Sequence, residues 1–187
     1  MKLSRRAYIL SHNEMVRPPL LFWLEDHGFD RHRDIVFIHE KRDECVAKAA
    51  AMAKALSDDV GIAVFCEADA IPSSVATDVF FSENRYHLQC VKYDTEGKHS
   101  FDRYDAFHGL IWRASGESLK KMAAEARKSN SKLCEWTTKP DGSEICECGC
   151  ASIQRLAKAA GLTTGWIGKA GHAPRAASLV PRICRYA

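Results

Sequence analysis

The chain is expected to be an α/β protein, a single domain whose mixed, mainly parallel sheet carries helices on both faces. Three observations predict this. Strand-like and helix-like periodicities alternate over residues 7–66 in the order β-α-β-α-β. The strand segments are apolar on both alternations, as in sheets covered from two sides. The connections are short, and parallel neighbours need an intervening helix.

Residues 7–11, AYILS, form the first strand and run into the polar turn His12-Asn13-Glu14. A helix follows from Arg17 to His27, with Leu20, Leu21 and Leu24 on one face and Gly28 placed to end it. Pro18 and Pro19 fit its first turn, where a missing N–H costs nothing. Residues 34–39, DIVFIH, are the second strand, with Ile35 and Phe37 on one side and Val36 and Ile38 on the other. The alanine-rich segment 43–57 predicts a helix turning Val46, Ala49, Ala50, Ala53 and Leu56 inward. The third strand, 60–66, ends abruptly in Glu67-Ala68-Asp69, and Pro72 is expected to stop it.

The second half changes character. Residues 86–93 and 107–113 read as strands with some antiparallel pairing. Ser115 caps a helix bearing Leu119, Met122, Ala123 and Ala126 at helical spacing. Residues 129–151 read as a cysteine-rich loop. Ser152 caps a last helix with Ile153, Leu156, Ala157 and Ala160 inward and Gly161 at its end. An apolar piece from Thr164 to Ala170 leads into Gly171-His172.

A chain of 187 residues suits one complete core. A net charge of +3, spread over scattered basic pairs, does not by itself imply nucleic-acid binding. The apolar run from Ala7 to Leu10 is too short for a signal-peptide core, and no stretch is long enough to span a bilayer. The expected setting is the cytoplasm, so the eight cysteines read as reduced thiols before they read as a disulfide framework.

Carboxylates one residue apart at a buried strand end are desolvated and repel each other unless a cation or donors compensate them. Glu67-Ala68-Asp69 is therefore a candidate seat for a divalent metal, the alternative being a turn in which Asp69 acts as a cap. Ligand sites in such sheets gather outside the carboxyl ends of the strands. Three polar clusters fall there: His12-Asn13-Glu14, His39-Glu40-Lys41 and the acid pair.

In this order the motifs resemble a GT-A glycosyltransferase of the family-2-like, nucleotide-sugar-dependent type, with its Rossmann-like nucleotide-binding architecture. The resemblance spans about residues 7–175 and rests on SHNE at Ser11–Glu14, Glu40, the acid pair, EICECGCASIQRLAKAAG at 144–161, and His172 in GKAGH. It implies one GT-A-like domain over 1–187. Residues 7–93 would form the nucleotide-sugar half, and 94–187 the acceptor and catalytic half with the cysteine-rich loop 134–150. It further implies Mn²⁺ or Mg²⁺ held by Asp69, Glu67 and His172. Ser11, Asn13, Glu14, Glu40, Glu67 and Arg113 would bind the donor, a UDP-sugar by preference. Glu147 would be the base in an inverting transfer to an acceptor hydroxyl on a glycan, a protein or a modified DNA base. Two departures stand out: the first acid is Glu where the family usually has Asp, and the acid before the last helix is embedded in cysteines, with Glu144 and Asp141 as competitors.

Cys134, Cys146, Cys148 and Cys150 could together hold a structural Zn²⁺, although C-x-C-x-C is tighter than the usual C-x₂-C knuckle. Two other functions share these features. A nucleotidyltransferase would want a glycine- and lysine-rich phosphate loop after the first strand, which SHNEMVRPP is not. A zinc-stabilised module binding nucleic acid or protein would not need Asp69.

Overall fold

The structure, a computed structural model, describes residues 4–11, 16, 18–39, 44–68, 70–72, 87–93, 111–129, 135–138, 140, 144–147 and 156–172. Strand β1 (Arg5–Ser11) is followed by helix α1 (Pro18–Asp26), β2 (Ile35–His39), α2 (Glu44–Ser57), β3 (Ile62–Glu67) and the short β4 (Ala70–Pro72). Then come β5 (Leu88–Tyr93), β6 (Ile111–Ser115), α3 (Gly116–Ser129), β7 (Glu135–Thr138), β8 (Glu144–Glu147) and β9 (Thr164–His172). Seven strands form one sheet in the order β2-β1-β3-β6-β5-β9-β4. The pairings make β1, β2, β3, β5 and β9 run one way, with β6 and β4 opposed. Elements from both halves of the chain thus share one mixed, mainly parallel sheet.

Both faces are covered, because successive side chains of a strand point to opposite sides. On one face Ala7, Ile9, Val64, Cys66 and Ile111 pack under Leu20, Trp23 and Leu24 of α1. On the other, Tyr8, Leu10, Ala63, Phe65, Trp112 and Ala114 pack under Ala47, Ala51, Met52 and Ala55 of α2 and Leu119 and Met122 of α3. Leu156, Ala157 and Leu162 close that second core.

The helix ends follow their sequence signals. Gly28 takes φ 77° past α1, its N–H reaching Glu25 O at 2.8 Å while Phe29 N–H reaches Leu24 O at 3.0 Å. That is the left-handed glycine cap, with Leu24 and Phe29 both buried beneath it. Gly161 ends the helical residues 156–159 with the same pair of bonds. Ser115 caps α3, its hydroxyl oxygen accepting the Ser118 N–H at 3.0 Å. Among the described residues, no helix is long and apolar enough to cross a membrane.

Four expectations change. Leu56 of α2 packs against the core as expected, but Ala53 is exposed and the buried residues are Ala47, Lys48, Ala51, Met52 and Ala55; the side chains of Val46 and Ala49 lie outside the described residues. In an alanine-rich helix two adjacent stripes are almost equally apolar, and the larger Met52 lies on the one the core uses. β2 is covered on the face of Val36 and Ile38, but on the other face only Ile35 is buried, while Phe37 stays 42% exposed and stacks on His39. The stretch expected as a loop contains the antiparallel pair β7–β8, with Trp136 opposite Cys146. Pro72 closes the short strand β4 rather than β3, which has already ended at Glu67; β4 pairs on one side only, the kind of edge where proline is tolerated.

Candidate functional site

β1, β2 and β3 are parallel neighbours and end at one rim, with Ser11 opposite His39 and Leu10 opposite Glu67. α1 and α2 follow β1 and β2, so both helices start at this rim. The positive ends of their dipoles lie where an anionic ligand would sit. Ser11 is buried at 4% exposure and shares the α1 face with Ile9, whereas Glu67 shares the α2 face with Phe65. The two polar groups therefore flank the rim from opposite sides of the sheet.

Past β3 the Ala68 N–H still donates to Leu10 O at 2.9 Å. Two residues later the chain has joined a different part of the sheet, where Ala70 is the register partner of His172 in β9. The β5–β9 register shifts between Cys90 and Lys92, an irregularity of the kind that bends a strand pair. Ala68 is thus tied to the end of β1 and Ala70 to the end of β9. Glu67 ends β3 at this rim, and His172 ends β9, which runs in the same direction.

Glu67 has a cationic neighbour. Its Oε1 lies 3.5 Å from Nζ of Lys48 in α2, and the two side chains are only 12% and 3% exposed. Lysines are among the residues least often buried, and pairing is the usual reason when one is. The adjoining Cys66 thiol is pushed well above its ordinary range, by burial first and then by the Glu67 charge. It is a small apolar core group rather than a nucleophile.

Arg113 stands elsewhere. It lies in β6 opposite Val64, three register positions before Glu67, and its guanidinium donates to Gln89 inside the α1 face. It is 6% exposed, and burial lowers its pKa. Its register position is in the sheet interior, away from the strand ends. Glu147 closes β8 as the register partner of Glu135, in the separate two-stranded sheet. Asn13, Glu14, Glu40, Asp69, Cys134, Cys148 and Cys150 lie outside the described residues. Lys48 was not legible as a site residue, because a lysine in an alanine-rich helix reads as its solvent side, as Lys54 of the same helix is. Its place on the Met52 stripe was the available signal.

No protein-family model matches the chain, and no curated protein matches it in sequence. Among solved structures, that of A197 from STIV is similar over 91% of this chain and 86% of that one, with a TM-score of 0.53 at 16% identity. A structure named as a nucleotide-diphospho-sugar transferase from Desulfovibrio desulfuricans G20 aligns over 90% of this chain and 61% of that one, at a TM-score of 0.41 and 9% identity. One named as a glucose-1-phosphate thymidylyltransferase from Bacillus anthracis aligns over 88% and 87%, at 0.44 and 9%. The fold likeness rests on the STIV protein, and at that identity it extends to the fold alone.

Proposed function

We propose that the protein is a metal-dependent glycosyltransferase that moves a sugar from a nucleoside diphosphate donor to an acceptor hydroxyl. The observation that carries this reading is the β4–β9 register, which seats the residue after Asp69 opposite His172 at the rim where β1, β2 and β3 end. An aspartate carboxylate and an imidazole would together make a mixed oxygen and nitrogen donor set that suits Mn²⁺, or Mg²⁺ with more water. Asp69 and His172 would hold the ion, which when bound supplies positive charge against the donor's diphosphate.

The chain's own residues account for the rest. Ser11, Asn13, Glu14 and Glu40, at or just past neighbouring strand ends, accept and donate hydrogen bonds to the nucleoside, and Glu67 accepts from its ribose. The starts of α1 and α2 add fixed positive potential for the phosphates. Glu147 takes the proton of the acceptor hydroxyl. As the acceptor oxygen bonds to the anomeric carbon, the bond from that carbon to the phosphate oxygen breaks. Its electron pair leaves on the nucleoside diphosphate, with inversion at carbon. General-base assistance of this kind is typically worth about 10²–10⁴ in rate.

A thermal-shift panel of nucleoside diphosphates with and without Mn²⁺ tests the reading, because a ligand that binds only the native state stabilises it, by about 2.7 kcal/mol at a hundred times its Kd. UDP with Mn²⁺ is expected to raise Tm in the wild type. Asp69→Asn should remove both that shift and Mn²⁺-dependent turnover of a UDP-sugar while leaving the unliganded Tm in place. Full turnover by Asp69→Asn would overturn the assignment. Release of pyrophosphate from a nucleoside triphosphate and a sugar 1-phosphate, with no transfer from a UDP-sugar, would point instead to nucleotidyl transfer.

A further inference from the structure

We infer that Lys48 is a positioning residue of this rim: it holds Glu67 as an internal counter-ion, so that cation binding falls to Asp69 and His172. The inference rests on the metal site proposed above and concerns a residue outside it. Glu67 leaves β3 on the same face as Ala63 and Phe65, which is the face roofed by α2. The roof at that level is Lys48, whose side chain is 3% exposed and whose Nζ lies 3.5 Å from the Glu67 carboxylate. A buried ammonium so placed is bound to the protein's own acid rather than offered to solvent.

The charge balance follows. Two carboxylates one residue apart repel, and Lys48 relieves this from within, leaving the pair with one net negative charge at the rim. Glu67 is thereby held against α2, with its orientation set by a helix, while Ala70 is the register partner of His172. Lys48 acts through Glu67. A purely structural lysine would affect folding without changing how the rim binds a cation.

The test is titration of the purified full chain with Mn²⁺ alone, read by the loss of the free-ion EPR signal. In the double variant K48M/E67Q a neutral pair of similar volume replaces the ion pair, a substitution buried pairs often tolerate. It should bind Mn²⁺ within about threefold of the wild type, because no ligand has been removed. K48M alone removes the cationic neighbour of Glu67 and should bind about tenfold more tightly, since affinity for hard cations rises with the negative charge of the site. K48R should behave as the wild type. Loss of Mn²⁺ affinity in K48M/E67Q by about tenfold or more would make Glu67 a ligand and overturn the inference. So would an unchanged affinity in a folded K48M; if K48M does not fold, the double variant decides. Should the wild type bind no Mn²⁺, the proposed metal site fails. Even then, a gain of binding in K48M supports the role of Lys48, and its absence overturns that role.

Discussion

Asp58, just past α2, shows how single side chains tie the helix layer to the sheet. It accepts a hydrogen bond from the Tyr8 hydroxyl at 2.9 Å, pairs with Arg6 at 2.9 Å, and is gripped by Lys54 one helical turn back. Burial is the largest single influence on its carboxyl and opposes ionisation. The bonds from Lys54, Tyr8 and Arg6 together outweigh it, and the group titrates below its usual range. The Tyr8 hydroxyl is raised correspondingly, by burial first and then by its bond to Asp58. Because the folded pKa of Asp58 lies below the unfolded value of about 3.9, its stabilisation is present above that pH and is lost as pH falls through the folded value. Asp58→Asn should cost about 1–3 kcal/mol at neutral pH, the usual worth of hydrogen bonds to a charged group. It should also flatten the decline of stability on acidification. Urea unfolding at pH 7 and pH 3 checks both, and undiminished acid sensitivity in the variant would refute the assignment.

At the scale of elements, the join between β6 and α3 is set by backbone contact. The Gly116 N–H donates to Gly61 O at 2.9 Å, and a Cβ at Gly116 would lie 2.0 Å from Val60 O. No rotamer relieves a clash with main chain, so Gly116→Ala must push the start of α3 off the turn before β3. A loss of about 1–3 kcal/mol is expected, the range for overpacking, or more if the turn cannot yield. It should appear as a lower denaturant midpoint at unchanged m-value. A midpoint equal to the wild type would show that the turn moves freely. The same scale explains α2. Its helical character follows from its alanines, but which stripe faces inward depends on Glu67 and Met52, one supplied by another strand and the other by fit to the core.

Across the whole molecule, Tyr8, Phe65 and Trp112 are register partners on β1, β3 and β6 and stack in sequence, with ring centroids 5.4 Å and 3.9 Å apart. The ladder joins the parallel part of the sheet to its antiparallel part through fully buried rings. Phe65→Ala should therefore cost about 3–5 kcal/mol, against a total of about 5–15 kcal/mol for a typical domain. Chemical denaturation measures it, and a loss under about 1 kcal/mol would mean the neighbouring rings close the gap. The local signals in the sequence settled what depends on nearest neighbours along the chain. These are the β-α-β-α-β order, the proline start and glycine stop of α1, the Ser115 cap, and the ending of β1, β2 and β3 at one rim. Such features follow from side-chain period, backbone freedom and short connections, all of which operate over a few residues. Tertiary structure alone decided the hairpin β7–β8, the edge position that admits Pro72, the burial of Arg113 against Gln89, the pairing of Ala70 with His172, and the turn of Lys48 toward Glu67. Each of these is a choice between locally similar alternatives. Contacts between residues far apart in the chain resolve it, and a buried charge is stable only where a distant partner arrives to meet it.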